Sequence, residues 1–292
     1  MINYLLMFFA VIIWAATFPL GKIILKDMSV PSYVFLRSAL SGLISIFAIF
    51  FYKNIKITEI KLTFFSALFF ILNVVFFSKS LEIIDSSLCS FIASSSIIFV
   101  MIIDSFLKKK IPNLKKIISC LVCILGSILM IDNINFKNNY EQAQKGIFYC
   151  ILATLSFSIG VFIADKISFK SKEPLKNTFL QNIFCFGISS IFIKDGLSTI
   201  KILSLSNISI ILYVSIFSSI VATTLQFYAQ KRISPESTTI IVLSEPIFGA
   251  IISYLLLSEN IFSLKFIIGG LLILASLFFI VFDNKKINKT KK

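Results

Sequence analysis

The chain has 292 residues, 57% hydrophobic and only 14% charged, with a mean hydropathy of +0.95. A soluble domain carries about 25% charged residues, and no polar stretch here exceeds a loop, so the composition excludes a soluble globular domain and implies a polytopic α-helical membrane protein. The net charge of +14 is carried by loop lysines without an aromatic-basic platform, so it reads as a topology signal and as contact with an anionic lipid bilayer, with no nucleic acid as partner.

A membrane-spanning helix needs about 20 mostly apolar residues. Read from charge to charge, the sequence predicts ten spans: 3–23, 32–52, 62–80, 86–107, 115–131, 146–164, 177–194, 207–229, 237–258 and 264–282. Long apolar runs of this kind are not the short alternating segments of a transmembrane β-barrel. The first span lacks a basic n-region, and Trp14, Phe18 and Pro19 stand where a signal peptidase would need small residues, so it is read as a retained helix. Trp14 is the only tryptophan and lies mid-span, with Thr17 three residues on and on the same face. It is either the aromatic wall of a pocket or a lipid-facing side chain.

Arg37 lies five or six residues into the second span. It either binds a substrate carboxylate or phosphate, or snorkels to the outer surface, the reading the sequence favours. Asn73 in the third span is a polar group that lipid would turn inward. Lys79, Glu82 and Asp85 surround the next turn, as an ion-paired gate or as solvated loop charges. In the fourth span Ser86, Ser90 and Ser94 are spaced by four, the pattern of close helix contact, and Ser94-Ser95-Ser96 is polar enough to line a pathway.

The fifth span is the shortest. The seventh contains Gln181 and Asn182, and the eighth Gln226 and Tyr228 with Ser215 and Ser219. Asn73 and Gln226 occupy corresponding spans and are better cavity candidates than the Gln181–Asn182 pair. In the ninth span Glu245 lies about nine residues beyond Glu236, where a carboxylate needs water, a partner or a proton. Pro246 removes a backbone N–H and frees a carbonyl one turn back. Glu245 is read as a proton-coupling or substrate-ammonium site, or else as a structural acid beside the proline. Gly249 and Ser253 continue the small-residue spacing.

Residues 77–121 recur without a gap 150 positions later. Phe77, Ile83, Ser87, Ser94, Ile97, Ile102, Leu107, Ile111, Leu114, Lys115, Ile118 and Leu121 match Phe227, Ile233, Ser237, Ser244, Ile247, Ile252, Leu257, Ile261, Leu264, Lys265, Ile268 and Leu271. With the N-terminus placed inside, the inner loops hold 19 lysines and arginines against 8 outside, which puts both termini in the cytoplasm. Five spans per repeat is an odd number, so two copies must insert upside down relative to each other. The expected fold is therefore an all-α polytopic membrane protein of ten transmembrane helices, built as two inverted five-helix repeats. The repeats occupy 1–140 and 141–284, and a basic cytoplasmic tail spans 285–292. Ser95-Ser96 stands against Glu245-Pro246 under the offset, so a kinkable polar step is expected in the second half only.

Ser237 to Gly270 reads STTIIVLSEPIFGAIISYLLLSENIFSLKFIIGG, with Pro246, Gly249, Ala250, Leu255 to Leu257, Glu259 and Gly269 at informative places. It resembles the last two helices of EamA-type transporters of the drug/metabolite transporter superfamily. Ile12 to Lys22 (IIWAATFPLGK) and Phe35 to Leu40 (FLRSAL) are similar to that family's tryptophan-containing first helix and arginine-bearing second helix. Ser96 and Lys109 replace the proline and glutamate expected in the first repeat. The resemblance covers nearly the whole chain. It implies ten helices, a central cavity and export or exchange of small metabolites, among them amino acids, amines, vitamins and nucleotide-like compounds.

The chain has no histidine, and its five cysteines lie in apolar runs, Cys120 and Cys123 included, so no metal and no cofactor is expected. A membrane-embedded enzyme would need clustered acids, histidines or an activated serine, and a channel would show charge rings or a filter. No Walker pattern indicates direct use of ATP. The expected function is a secondary transporter of the inner (plasma) membrane. It moves a small-molecule substrate, an amino acid or related compound, by alternating access with proton or counter-substrate coupling. Uptake or exchange of a nucleotide-like or vitamin metabolite is the alternative.

Overall fold

The computed structural model describes residues 2–53, 55–109, 114–130, 140–171, 173–200, 203–257, 264–265, 267–273 and 275–276. Among these all regular structure is helical. The N-terminal run forms α1 (Ile2–Ala15) and α2 (Thr17–Ile24), broken at Ala16. The break has a local cause: Pro19 has no N–H for the Ala15 carbonyl. Next come α3 (Val30–Ile49) and α4 (Ile57–Ile83). Ser29 caps α3 by accepting from Ser32 N, and Pro31 sits in the first turn, where its missing N–H costs nothing.

The next helical run is split into α5 (Ser86–Ser94) and α6 (Ser96–Lys108), followed by α7 (Leu114–Met130) and the 31-residue α8 (Tyr140–Lys170). Then follow α9 (Pro174–Ser189), a 3-10 turn at Ser190–Phe192 and α10 (Ile193–Ile200). The next long helical run is composite. It starts as α11 (Leu205–Leu212), widens into a ten-residue π-helical segment (Tyr213–Ala222) and returns to α-helix in α12 (Thr223–Ala229). The run that follows is split into α13 (Pro235–Val242) and α14 (Glu245–Leu257).

Seven helices among the described residues are long and apolar enough to cross a membrane: Ile2–Ile24, Val30–Ile49, Ile57–Ile83, Leu88–Leu107, Glu141–Lys170, Leu205–Ala229 and Pro235–Leu256. The predicted span 115–131 is the helix α7, whose apolar stretch Ile117–Gly126 is shorter than a bilayer crossing. The predicted span 177–194 is α9 with the 3-10 turn, a 16-residue helix whose first turn contains Lys176. Of 264–282, residues 267–273 are helical and most of the remainder lies outside the described residues, as do Glu259 and the predicted tail 285–292.

Helix contacts follow a regular plan. α4 packs along α8, and α3 along α9. α1 runs against α12 and the π segment. The two split passages cross head to tail, with α5 on α14 and α6 on α13. α8 lies against α5 and α6, while α1 lies against α13 and α14. α7 meets the helical segment 267–273 backbone to backbone, since a Cβ added to Gly126 would lie 2.7 Å from the Gly269 carbonyl oxygen. Large apolar side chains such as Phe47, Phe51, Phe106 and Phe169 face outward, 73% to 87% exposed, as a lipid-bathed surface requires and a water-bathed one would not tolerate.

At one end of the bundle the starts of α4 and α9 are tied by charge. Lys176 Nζ lies 3.0 Å from Glu59 Oε2 and 3.1 Å from Glu173 Oε2, with the Lys176 and Glu59 side chains almost fully buried. The same Glu59 accepts from Lys56 N at 3.2 Å, which caps α4. At the opposite end Lys22 reaches from α2 to the carbonyls of Leu81 and Ile84, at 2.8 and 2.9 Å, and completes the C-terminus of α4.

Candidate functional site

A cavity with about 1060 Å³ of atom-free space, mouth included, lies between the helices. Its wall is drawn from α1, α2, α3, α4 and α5 of the first half and from α8, α9, the π segment, α12, α13 and α14 of the second. Trp14 lies 12 residues into its helical run and Glu245 ten into its own, about 18 and 15 Å along a bilayer core of about 30 Å. Both residues therefore lie about midway along their helical runs.

Trp14 is 9% exposed and stands edge-on to Phe157, ring centroids 6.1 Å apart. Its indole N–H donates to the Ser218 carbonyl at 3.2 Å. Thr17 returns its hydroxyl to the Trp14 carbonyl at 2.6 Å, beside the break before α2. Trp14 thus forms a cavity wall and not a lipid-facing surface.

Arg37 does not snorkel. It is 7% exposed, because its guanidinium turns inward onto the π segment. Nη2 donates to Ser218 Oγ (2.9 Å), Nε to Ser219 Oγ (3.1 Å) and Nη1 to Tyr33 Oη (3.5 Å), and the ring of Phe70 lies 5.5 Å below. The Ser215 hydroxyl bonds the Arg37 carbonyl at 3.0 Å, so the spacing of Ser215 and Ser219 serves arginine anchoring as well as close packing. Widening of the helix to a π form exposes carbonyls to side chains, and here those of Ser218 and Ser219 accept from Trp14 and Asn182. This segment was not legible in the sequence: no proline marks it, and its only signal is the cluster of serines at 215, 218 and 219.

Glu245 is 7% exposed at the first residue of α14 and lines the cavity. Among the described residues it accepts no hydrogen bond and forms no ion pair. Pro246 is the cause of the break. Its absent N–H removes the usual i+4 donor to the Val242 carbonyl, and the turn at 243–244 is closed by short-range bonds, among them Ser244 Oγ to Ile241 O at 2.7 Å.

The first half breaks at the corresponding place, although it has no proline there. Ser95 Oγ bonds Ile92 O at 2.6 Å and Ser94 Oγ bonds Ser90 O at 2.9 Å. Hydroxyls that bond back to their own helix bend it. The expected one-sided kink is thus corrected to a pair of kinks, with serines acting in one half as proline does in the other.

Of the ten predicted site residues, the structure brings Trp14, Thr17, Arg37, Asn73, Gln226 and Glu245 to one cavity. Asn73 also ties α4 to α8 through the Ala153 carbonyl at 3.0 Å. Ser94, Ser95 and Pro246 shape the helix breaks and do not line the wall. Tyr228 points away, 44% exposed under Lys231, whose Nζ is 5.3 Å from the ring centre. Gln181, ranked below Asn73 from sequence, does reach the wall, where it accepts from Ser66 Oγ at 2.8 Å. Tyr33, Thr154, Ser156 and Ser218 also line it, and isolated hydroxyls in apolar runs gave no distinguishing signal.

The EamA-like transporter family profile matches residues 1–132 and again residues 144–282. The chain is 24% identical over 216 residues to the WAT1-related protein At3g02690, chloroplastic, of Arabidopsis thaliana, covering 71% of this chain and 51% of that protein. It is 29% identical over 201 residues to an uncharacterized transporter of Buchnera aphidicola subsp. Schizaphis graminum, covering 66% of this chain and 65% of the relative. The matches thus span one half to two thirds of these relatives' lengths. A solved crystal structure of a protein matches in fold with a TM-score of 0.73 at 13% identity, over 95% of this chain and 97% of the other.

Proposed function

We propose, for a chain that belongs to the EamA-like transporter family, that it is a secondary transporter moving a small metabolite, an amino acid or a related compound, across the inner membrane by alternating access. One observation carries this reading: a polar-spotted cavity midway along the spans, walled by helices of both halves. Transporters built from inverted repeats place their sites there. The family and its transporter-named relative indicate transport and not catalysis.

Several features support two inverted five-helix repeats, divided near residue 140. The profile matches twice in tandem. Contacts come in corresponding pairs: α4 on α8 answers α12 and the π segment on α1, while α5 and α6 on α8 answer α13 and α14 on α1. The broken fourth and ninth passages cross head to tail, as related elements of opposite direction do. With both termini cytoplasmic, the Lys176 cluster closes the inner end and Lys22 braces the outer end.

Rocking of one half against the other would expose the cavity to each side in turn, and the breaks at Ala16, Ser95 and 243–244 are places where helices can hinge. Glu245 is the residue on which a proton is carried in exchange for cargo, since it is the only carboxylate on the wall among the described residues. The flux is export or exchange.

The test is counterflow in proteoliposomes preloaded with unlabelled metabolite mixtures. The reading expects exchange-stimulated entry of at least one labelled metabolite class. An absence of stimulation for all of them would refute transport. With that cargo, Glu245→Gln is expected to abolish the response to an imposed pH gradient while leaving membrane insertion intact. An unchanged pH response would remove the proton role from Glu245.

A further inference from the structure

The hydroxyls around Arg37 differ in what they do with their own protons. Ser219 accepts from Nε at 3.1 Å and returns its proton to the Val214 carbonyl at 2.9 Å. Ser215 gives its proton to the Arg37 carbonyl. Ser218 and Tyr33 behave otherwise. Ser218 Oγ accepts from Nη2 at 2.9 Å and Tyr33 Oη from Nη1 at 3.5 Å, and neither hydroxyl donates to any described residue. A serine in a membrane helix ordinarily spends its proton on its own backbone, so the free O–H of Ser218 stands out. Three of the five guanidinium N–H groups are used, one on each nitrogen, which leaves one on Nη1 and one on Nη2.

Arg37, Tyr33 and Ser218 all line the cavity, and Ser219 does not. Each of the three is more than nine-tenths buried. Together they offer two N–H and two O–H donors around one fixed positive charge. No acid pairs with Arg37 among the described residues, and Glu245, on the same cavity wall, forms no ion pair with it. A buried cation whose partners are all neutral is costly unless a counter-charge is supplied. The unspent donors define what supplies it: a group that accepts hydrogen bonds and has no need to give one. It carries a single negative charge, since a second would be left unbalanced in the same buried setting.

We propose that Arg37, Tyr33 and Ser218 form a receptor for one singly charged anion, either a free inorganic halide or the carboxylate of a small organic acid. The receptor shares its cavity with the transport reading, which assigns Arg37 no ligand, and it is tested apart from that reading, by binding.

The chain has one tryptophan, and Trp14 donates to the carbonyl of the same Ser218, so its fluorescence reports on the site. The purified full chain in detergent is titrated with the sodium salts of chloride, bromide, acetate and sulfate. Ionic strength is held constant with a bulky sulfonate. Trp14 emission is read together with the thermal unfolding midpoint, which a ligand of the native state raises by mass action. A saturable change in both is expected for the halides, for acetate or for both, with sulfate binding at least tenfold more weakly. A response to halides alone assigns a free inorganic anion, a response to acetate alone assigns an organic carboxylate, and mutual competition assigns a site that takes either. Arg37→Gln is expected to abolish the saturable response. Tyr33→Phe keeps the ring, removes one O–H donor and is expected to weaken binding about tenfold. Should Arg37→Gln not fold, Tyr33→Phe decides.

The proposal is overturned if no anion gives a saturable change, if sulfate binds as tightly as the singly charged anions, or if the variants keep the wild-type affinity. Counterflow of a metabolite by a protein that binds none of these anions would uphold transport and overturn the receptor. Saturable anion binding by a protein without counterflow would do the reverse.

Discussion

Trp14 and Arg37 reach the same serine from two different helices: the indole takes the Ser218 carbonyl and the guanidinium its hydroxyl. The tryptophan therefore contributes two separable things, ring volume and one hydrogen bond. A hydrogen bond between helices in lipid is worth about 0.6 kcal/mol, while removing a large buried aromatic costs about 3–5 kcal/mol. Trp14→Phe is accordingly expected to shift the thermal unfolding midpoint in detergent only slightly, and Trp14→Ala to lower it severely. Equal losses in the two variants would show that the N–H, not the ring, is what matters. The sequence made Trp14, Arg37 and Glu245 visible because each is rare or costly in an apolar run. Ser66, Ser218 and Thr154 were not legible, since serines and threonines occur throughout these spans and most simply bond back to their own helix, as Thr154 does to Cys150 O at 2.7 Å.

Among the elements, the Glu59–Lys176 pair ties α4 to α9 in a nearly dry setting. Removing one partner of a buried pair costs about 3–5 kcal/mol, whereas replacing both with apolar residues is often neutral. Lys176→Met alone is expected to lower the unfolding midpoint strongly by leaving Glu59 unpaired, and Glu59→Leu with Lys176→Met to recover most of the loss. If the double variant were no better than the single one, the pair would not be a buried electrostatic tie. Element breaks were only half legible. Pro19 and Pro246 announce theirs through a missing donor, but the break at Ser95 arises from hydroxyl back-bonding, and the π segment at Tyr213–Ala222 has no proline at all. The π segment depends on which neighbouring helices donate to its carbonyls, here through Trp14 and Asn182.

For the whole molecule, the lysine distribution and the number of passages are separate claims. Reporter fusions or cysteine accessibility at the loops near Lys56, Lys170 and Lys231 are expected to report cytoplasm, and those near Lys26 and Lys194 the outer face. An outer location for Lys56 or Lys231 would reject the proposed topology and the inversion with it. Composition and hydropathy by themselves determined that the chain is helical and membrane-embedded, because burying a backbone in lipid demands internal hydrogen bonding along apolar runs of a set length. The 150-residue echo and the family's motifs, also legible in the sequence, named its kind. Tertiary structure alone decided which polar side chains share a cavity. Side-chain direction follows from helix rotation, from breaks at positions such as Ser95 and from π widening, and these are fixed only when the helices pack. That packing turns Arg37 inward and Tyr228 outward, and it leaves Glu245 facing the cavity without a partner among the described residues.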